Sequence, residues 1–239
     1  MTIAHAACSD PGLVRPANED SYRAIPEIGL YLLADGMGGA RGGGRASRLA
    51  VDTVAEQMLR VARPDASSLL AAVEQAHGQV RKEASENPAL NGMGSTLVAA
   101  LVQGSEVVVV SVGDSRAYRF SGSALKLLTE DQTWVVDVGI PLGLSPDALK
   151  RHPNRHALTM AIGIDADLIT PYYMTTLEPG CGILLTSDGL HGLVPNEIMA
   201  RVMADRGAPL QQRCEQLIEA ARKAGGPDNI TAVVLEAVS

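Results

Sequence analysis

Four aspartates in this sequence stand where an apolar segment ends and a tight turn begins. They occur in Leu32-Leu-Ala-Asp35-Gly36, Val112-Gly-Asp114-Ser115, Leu184-Leu-Thr-Ser-Asp188-Gly189 and Gly226-Pro-Asp228-Asn229. The ends of strands fix a side chain more firmly than loops do, so these carboxylates could converge on one site. Converged carboxylates repel one another strongly and are tolerated when cations neutralise them. Together with Asn18-Glu19-Asp20, the pattern favours a metal site.

The ligand chemistry narrows the choice of metal. Carboxylate and carbonyl oxygens select hard cations such as Mg²⁺ or Mn²⁺, whereas zinc prefers histidine or cysteine. The histidines show no paired spacing typical of a zinc site, and we assign none of them as a ligand. They are His5, His77, His152, His156 and His191. The alternative for each aspartate alone is structural, because Asp-Gly is a common turn dipeptide.

The glycine-rich stretch Gly36–Arg45 follows a predicted strand and precedes a predicted helix, which raises the possibility of a nucleotide-binding loop. In GxGxxG frames that start at Gly36 or Gly42, the last position is Arg41 or Ser47, and no GK[ST] triplet follows. Asp35 at the head of the loop would also repel a pyrophosphate. We therefore expect the glycines to let the backbone approach a metal, with the Gly36 carbonyl as a ligand.

The composition bounds the kind of protein that carries this site. A chain of 239 residues with 46% hydrophobic residues fits one large domain, so we expect a single domain over 1–239. The net charge of −7 argues against binding to nucleic acid or anionic lipid. The cysteines, Cys8, Cys181 and Cys214, lack metal or disulfide spacing and indicate free thiols in a reducing compartment. With no signal sequence or membrane-length apolar run, we expect a cytoplasmic protein without membrane insertion.

Short aliphatic segments and amphipathic segments alternate in groups along the chain. The predicted strands are Leu30 to Ala34, Thr96 to Val102, Val107 to Val112, Ala117 to Phe120, Gly182 to Thr186 and Ile230 to Val238. The predicted helices are Arg45 to Arg60, Ser67 to Glu86, Pro195 to Ala204 and Pro209 to Ala224. Strands in consecutive groups and helices in pairs favour an α+β fold with mainly antiparallel sheets. The region 137–154 is the least regular and predicts a surface excursion.

Besides the aspartate motifs given above, the sequence contains, in fixed order, Arg15-Pro-Ala-Asn18-Glu19-Asp20, Met93-Gly94-Ser95-Thr96, Leu128-Thr129-Glu-Asp131 and Asp228-Asn229-Ile-Thr231. Together these motifs resemble those of a known family, the metal-dependent Ser/Thr protein phosphatases of the protein phosphatase 2C (PPM) type, in their compact bacterial form. The resemblance covers nearly the whole chain. It implies a β-sandwich of two mainly antiparallel sheets flanked by helix pairs, with region 137–154 as a flap.

The resemblance also implies a role for each matching position. Asp35 would bridge two Mn²⁺ or Mg²⁺ ions and the Gly36 carbonyl would bind the first of them. The second ion would be bound by Asp188 and Asp228, and a weaker third by Asp114 together with Asp188. Asp20 would hold metal-bound waters, with Glu19 a weaker candidate for the same shell. Arg15 would bind the substrate phosphate; the structural alternative is a surface ion pair with Glu19 or Asp20.

The activity implied is hydrolysis of phosphoserine and phosphothreonine on proteins, by direct attack of a metal-bridging water and without a phosphoenzyme. The implied partners are phosphorylated proteins, including a bacterial Ser/Thr kinase and its targets, acted on by a monomer. Two alternative functions belong to other classes of protein. A pseudoenzyme that binds phosphoproteins without hydrolysing them would lack some of the metal-binding carboxylates, and here the set is intact. A nucleotide-dependent kinase or NTPase would need a phosphate-binding loop with a lysine, which this sequence lacks. Two positions depart from the family pattern, Gln132 and Met160, and they leave the flap contacts and the substrate preference unassigned. Met37, as in bacterial relatives, stands where eukaryotic members carry a histidine, which leaves the general acid unassigned.

Overall fold

The structure is a computed structural model that describes residues 1–38, 42–164 and 167–238. Its strands, β1 to β11 in chain order, are Ile3–Asp10, Asp20–Ile25, Leu30–Met37, Gly94–Ser95, Leu97–Gln103, Glu106–Val112, Arg116–Ser121, Ala124–Leu127, Tyr172–Thr176, Cys181–Thr186 and Ile230–Ala237. Its α-helices, α1 to α6, are Gly43–Leu59, Ala66–Glu86, Pro146–Arg151, Asp188–His191, Asn196–Ala204 and Leu210–Lys223. Part of the glycine-rich stretch, residues 39–41, lies outside the described residues.

The strands form two antiparallel sheets. One has the order β1-β11-β10-β7-β8, and the other has the order β2-β3-β5-β6-β9 with the short β4 paired to β3. Neighbouring strands in both sheets run antiparallel throughout. The predicted α+β class with mainly antiparallel sheets is therefore confirmed.

Alternation along β3 shows why the sheets stack with helices outside them. Leu30, Leu32 and Ala34 point to one face and pack with residues of α1 and α2. Tyr31 and Leu33 point to the opposite face, where they pack with residues of the other sheet such as Ile183 and Val233. Successive side chains of a strand alternate between faces, so a strand that is apolar at every position is buried on both sides.

Two helix pairs cover the outer faces of the sandwich. α1 and α2 pack on the β2-β3-β5-β6-β9 sheet, and α5 and α6 pack on the other. In α6 the buried positions Cys214, Leu217, Ile218 and Ala221 recur every three or four residues, which gives the helix one apolar face. The result is the predicted α-β-β-α order of layers.

Some elements were not predicted from the sequence. β1 contains alanines and polar residues, and its conformation depends on pairing with the buried β11 in the register Ile3 to Ala237. The 137–154 region is more regular than predicted, because it begins within a π-helical turn at Val135–Gly139 and includes α3. Ser145 caps α3 by accepting a hydrogen bond from the Ala148 N–H.

Two further expectations concern the thiols and the membrane. Cys8, Cys181 and Cys214 are free, the last two buried and Cys8 half-buried. Within the described residues, no helix combines the length and apolar character needed to cross a bilayer.

Candidate metal centre

The predicted site residues meet at one end of the sandwich. Asp35, Asp114, Asp188 and Asp228 all line one cleft with a volume of about 920 Å³. Arg15, Glu19 and Gly36 line the same cleft. Residues separated by up to 213 positions in the sequence thus share one concave surface, to which both sheets contribute.

The strand pairing accounts for this convergence. Asp20 at the start of β2 is the register partner of Asp35 near the end of β3. Asp114 lies in the turn between β6 and β7, and Asp188 begins α4 directly after β10. Asp228 precedes β11, which pairs with β10. Each carboxylate is therefore attached to the end of a hydrogen-bonded strand.

Asp35 is fixed through its backbone by neighbouring hydroxyl residues. Its N–H donates to Thr96 Oγ1 at 2.9 Å, and its carbonyl accepts from the Thr96 N–H at 2.8 Å and from Ser95 Oγ at 2.9 Å. Thr96 Oγ1 in turn lies 2.7 Å from Ser115 Oγ, next to Asp114. The backbone bonds leave the Asp35 carboxylate available to the cleft.

Asp20 lies beneath the cleft and is buried. Ser187 Oγ and Thr231 Oγ1 donate to its Oδ2 at 2.8 and 2.6 Å. Its Oδ1 is buried without a hydrogen-bond partner among the described residues. Burial outweighs the two hydroxyl bonds and, with the negative charges of Asp188 and Asp228, raises the pKa of Asp20 to about 6.

The other carboxylates are also electrostatically strained. Burial, followed by the charges of Asp20, Asp188, Asp114 and Asp228, holds the pKa of Asp35 well above its usual range. Burial and the charge of Asp188 raise the pKa of Asp114 to about 7. The pKa of Asp188 is raised by burial and by Asp228. Like charges gathered in this way are the environment that bound cations relieve.

This donor set fits divalent cations, since hard oxygen donors converge and two of them lack partners. Besides Asp20 Oδ1, the buried Asp188 Oδ1 has no hydrogen-bond partner in the described part of the chain. Across residues 1–38, 42–164 and 167–238, no three Asp, Glu, His or Cys side chains are placed so that they could hold a metal ion by themselves.

Arg15 pairs with a predicted metal ligand rather than with its sequence neighbours. Its Nη2 donates to Asp228 Oδ2 at 2.7 Å, and its side chain is 50% exposed. The structural alternative named Glu19 or Asp20 as the partner, and no such ion pair occurs among the described residues. The Arg15 side chain is thus placed at the mouth of the cleft with N–H groups accessible to an anion.

Asn229 organises the segment that carries Arg15, a role that was not predicted from the sequence. Its Nδ2 donates to the carbonyls of Pro11 and Ala17 at 3.0 and 2.9 Å, and its Oδ1 accepts from the Glu19 N–H at 2.8 Å. The side chain is buried. Its position directly after Asp228 is the one sequence signal that could have revealed this function.

Two glycines permit the close approaches that the cleft requires. A Cβ on Gly36 would lie 2.1 Å from the Gly43 carbonyl oxygen, so β3 can pass the first turn of α1 only without a side chain there. A Cβ on Gly189 would lie 2.0 Å from the Asn229 carbonyl oxygen, next to Asp228. Glu19 also points to the start of α1, where its Oε1 accepts from the Gly44 N–H at 3.4 Å.

The positions that depart from the family pattern have local structural partners. Gln132 bridges two segments: its Oε1 accepts from the Gly113 N–H at 2.8 Å and its Nε2 donates to the Ile169 carbonyl at 2.9 Å. Met160 is half-buried against the core on the α1 and α2 side. Met37 lies in the cleft wall, as do His156, Ala157 and Leu158, which follow the 137–154 excursion.

Comparison with known proteins gives consistent results. The family model described as Protein phosphatase 2C matches residues 16–225 of this chain. The Serine/threonine phosphatase stp of Listeria welshimeri is 31% identical over 95% of this chain and 93% of its own length.

Solved structures agree with the sequence comparison. The crystal structure of the Mycobacterium tuberculosis serine/threonine phosphatase PstP/Ppp has a TM-score of 0.90 at 33% identity, covering 100% of both chains. The catalytic domain of PstP in complex with 2 manganese ions has a TM-score of 0.85 at 33% identity, covering 99% of both chains.

Proposed function

The chain belongs to the protein phosphatase 2C family of metal-dependent serine/threonine protein phosphatases, and we propose that its acidic cleft hydrolyses phosphoserine and phosphothreonine on other proteins. The observation that carries the proposal is the gathering of Asp35, Asp114, Asp188 and Asp228 beside Arg15 in one cleft. Such a group is destabilising by itself and suits a site that binds cations and then a phosphate dianion.

We assign the metal-binding roles as follows. Asp35 and the Gly36 carbonyl would hold one Mn²⁺ or Mg²⁺ ion, and Asp35, Asp188 and Asp228 would hold a second. When bound, the pair supplies a water of lowered pKa and positive charge against the phosphoryl oxygens. Asp20, fixed by Ser187 and Thr231, would orient water around the ions through its unpartnered oxygen. Asp114 with Asp188 would form a weaker third cation site, and Glu19 would be a weaker outer contact.

Arg15 is assigned to the substrate phosphate. A guanidinium offers a planar pair of N–H donors that matches two phosphate oxygens. Its hydrogen bond to Asp228 keeps it beside the proposed ions before substrate arrives. Because water attacks the phosphorus directly, no Ser, Cys or His nucleophile and no phosphoenzyme are required.

We propose that residues 1–239 act as one catalytic domain with the 137–154 segment as a flap, and that the chain works as a cytoplasmic monomer. Its substrates would be phosphoproteins, including a bacterial Ser/Thr kinase and its targets. Relatives at 31% identity named as serine/threonine phosphatases support this class of substrate.

The test is hydrolysis of a phosphothreonine peptide and of p-nitrophenyl phosphate by the purified chain with Mn²⁺, Mg²⁺ or EDTA. We expect activity with either cation and none with EDTA. Asp188→Asn should lose activity, whereas the matched control Asp147→Asn, in the exposed first turn of α3, should retain it. Activity in EDTA, or no activity with any cation, would overturn the proposal.

A further inference from the structure

The excursion beside the acidic cleft carries the densest run of positive charge in the chain. Lys150, Arg151 and Arg155 fall within six residues, without an acidic residue among them, in a protein whose net charge is −7. All three side chains are exposed. We call these three residues the basic turn.

The basic turn is not neutralised by the rest of the described structure. None of its three residues forms an ion pair with a carboxylate among residues 1–38, 42–164 and 167–238. Many other cations of the chain do: Arg15, Arg23, Arg45, Arg116, Arg213 and Arg222 each contact an Asp or Glu. Lys150 and Arg151 also suit the C-terminus of α3, but Arg155 lies beyond that helix and is not explained by it.

Neighbouring contacts hold the backbone of the basic turn in a defined shape. The rings of Trp134 and His152 stack with their centroids 3.7 Å apart and their planes at 7°. The Trp134 N–H donates to the Ala157 carbonyl at 2.8 Å, and the Ala157 N–H donates to the Asn154 carbonyl at 2.9 Å. These bonds attach both ends of the turn to the segment that follows Thr133, so its charges occupy a preorganised surface.

The turn is close enough to the cleft to contact a bound substrate. His156, which lines the cleft, directly follows Arg155. Arg151 is five residues before His156, so their Cα atoms are at most about 18 Å apart. An extended peptide advances about 3.3 Å per residue. The basic turn therefore reaches positions within about five residues of a phosphorylated residue held in the cleft.

We propose that the basic turn binds acidic groups of the substrate, so that the preferred substrates carry Asp, Glu or a second phosphate within about five residues of the target residue. This inference rests on the proposed phosphatase function. Carboxylates and phosphates are the partners that arginine forks match. An acidic protein repels an acidic peptide, and a local basic surface beside the cleft offsets that repulsion.

The experiment compares kcat/KM for one phosphothreonine peptide made with neutral, acidic or basic flanks, and with a second phosphoserine. Each exposed ion pair contributes up to about fivefold, so we expect the wild type to prefer the acidic and doubly phosphorylated peptides by about tenfold at low salt. The preference should shrink as ionic strength rises. The two anionic peptides distinguish carboxylate from phosphate recognition, and a preference for either supports the proposal.

The variant Lys150→Gln/Arg151→Gln/Arg155→Gln should lose the preference while its hydrolysis of the neutral peptide and of p-nitrophenyl phosphate is unchanged. The matched control Arg48→Gln/Arg63→Gln/Arg201→Gln removes the same charge from exposed positions outside the cleft and should keep the preference. If the triple variant misfolds, Lys150→Glu alone should weaken use of the acidic peptide.

Two results would end the proposal in distinguishable ways. Equal kcat/KM for acidic and neutral peptides by an active wild type would overturn the substrate preference and leave the phosphatase function intact. No hydrolysis of any peptide or of p-nitrophenyl phosphate with either cation would overturn the phosphatase function and the preference with it.

Discussion

Two regions of this molecule bury charged side chains in opposite ways: one gathers like charges, and the other pairs a cation with an anion. In the acidic cleft and directly beneath it, Asp35, Asp114, Asp188 and Asp20 lie close together, and their pKa values are raised by burial and mutual repulsion. Between α6 and β11, by contrast, one cation and one anion are paired. Arg213 and Glu236 are 4% and 6% exposed and form an ion pair, with Arg213 also donating to the Met203 carbonyl at 2.8 Å.

The contrast separates charges retained for function from charges retained for structure. Four carboxylates in one pocket oppose folding, and they become favourable only when cations that bind the native state are present. The Arg213 and Glu236 pair needs no added ligand, because each charge already has its partner. It attaches the α5 and α6 layer to the sheet. Removing a charge should therefore have opposite consequences in the two regions.

The largest expected effect comes from the cleft. Asp35→Asn should reduce kcat/KM by about a thousandfold or more, because the bound cations supply several kcal/mol of transition-state stabilisation. In EDTA the same variant should be at least as stable as the wild type, since one repelling charge is gone. Hydrolysis of p-nitrophenyl phosphate and urea unfolding, each with Mn²⁺ and with EDTA, measure the two effects. A fully active variant would show that Asp35 is not a ligand.

The second effect concerns the structural pair. Glu236→Gln leaves the buried Arg213 without a counter-charge and should lower the free energy of unfolding by about 3–5 kcal/mol. The turnover number of the protein that remains folded should not change. Urea denaturation and the activity per folded molecule measure this. The double variant Arg213→Met/Glu236→Leu should recover much of the stability, because it leaves no unpaired buried charge. If the stability is not recovered, the ion pair contributes more to folding than the mutual neutralisation of its two charges.

A smaller effect is expected at Arg15, a cation that pairs with Asp228 in the acidic cleft. Arg15→Gln removes a charge-assisted contact worth about 1.5–3 kcal/mol, so kcat/KM should fall by about ten- to hundredfold. Arg23→Gln is the matched control, because Arg23 makes a similarly exposed ion pair with Asp52 outside the cleft. Steady-state kinetics on a phosphothreonine peptide should show unchanged activity for the control. Equal losses in both variants would remove Arg15 from the phosphate site.

Much of this arrangement could be predicted from the sequence, for identifiable physical reasons. β3 and β11 are largely apolar, which predicts strands. Asp35 lies near the end of β3 and is followed by Gly36, and Asp228 lies just before β11 and is preceded by Pro227. The same two segments therefore predicted both a strand and a site residue. The fold class was confirmed. The roles of Asp35, Asp188 and Asp228 remain predictions, although the structure brings all three to one cleft.

Other features depend on contacts that no local pattern specifies. β1 is too polar to predict as a strand, and it forms because β11 offers an edge for pairing. The role of Asn229 comes from bonds to Pro11 and Ala17, which are more than two hundred positions away in the sequence. The basic turn was not predicted to bind a ligand, because the net charge of the whole chain is negative. Only its position in the structure, beside His156, connects it to the cleft.

The last prediction uses pH to distinguish the two regions. Asp20 and Asp114 have pKa values of about 6 and about 7 in the folded protein, against about 3.9 in an unfolded chain. Between these values the folded state binds more protons than the unfolded state, so the free energy of unfolding decreases as pH rises. The stabilisation is complete below pH about 4 and is lost as pH rises through 6 and 7.

In EDTA, the wild type should therefore be less stable at pH 8 than at pH 5 by at least about 1 kcal/mol. Mn²⁺ should reverse this trend, because cations replace protons on the carboxylates as pH rises. Urea midpoints from pH 5 to 8 measure both curves. Asp20→Asn/Asp114→Asn should make the EDTA curve less steep, since two of the carboxylates that take up protons are gone while Asp35 and Asp188 remain. Glu236→Gln should lower the whole curve and keep its slope, because the paired region does not depend on those protons; an altered slope in that variant would show that the two regions are coupled.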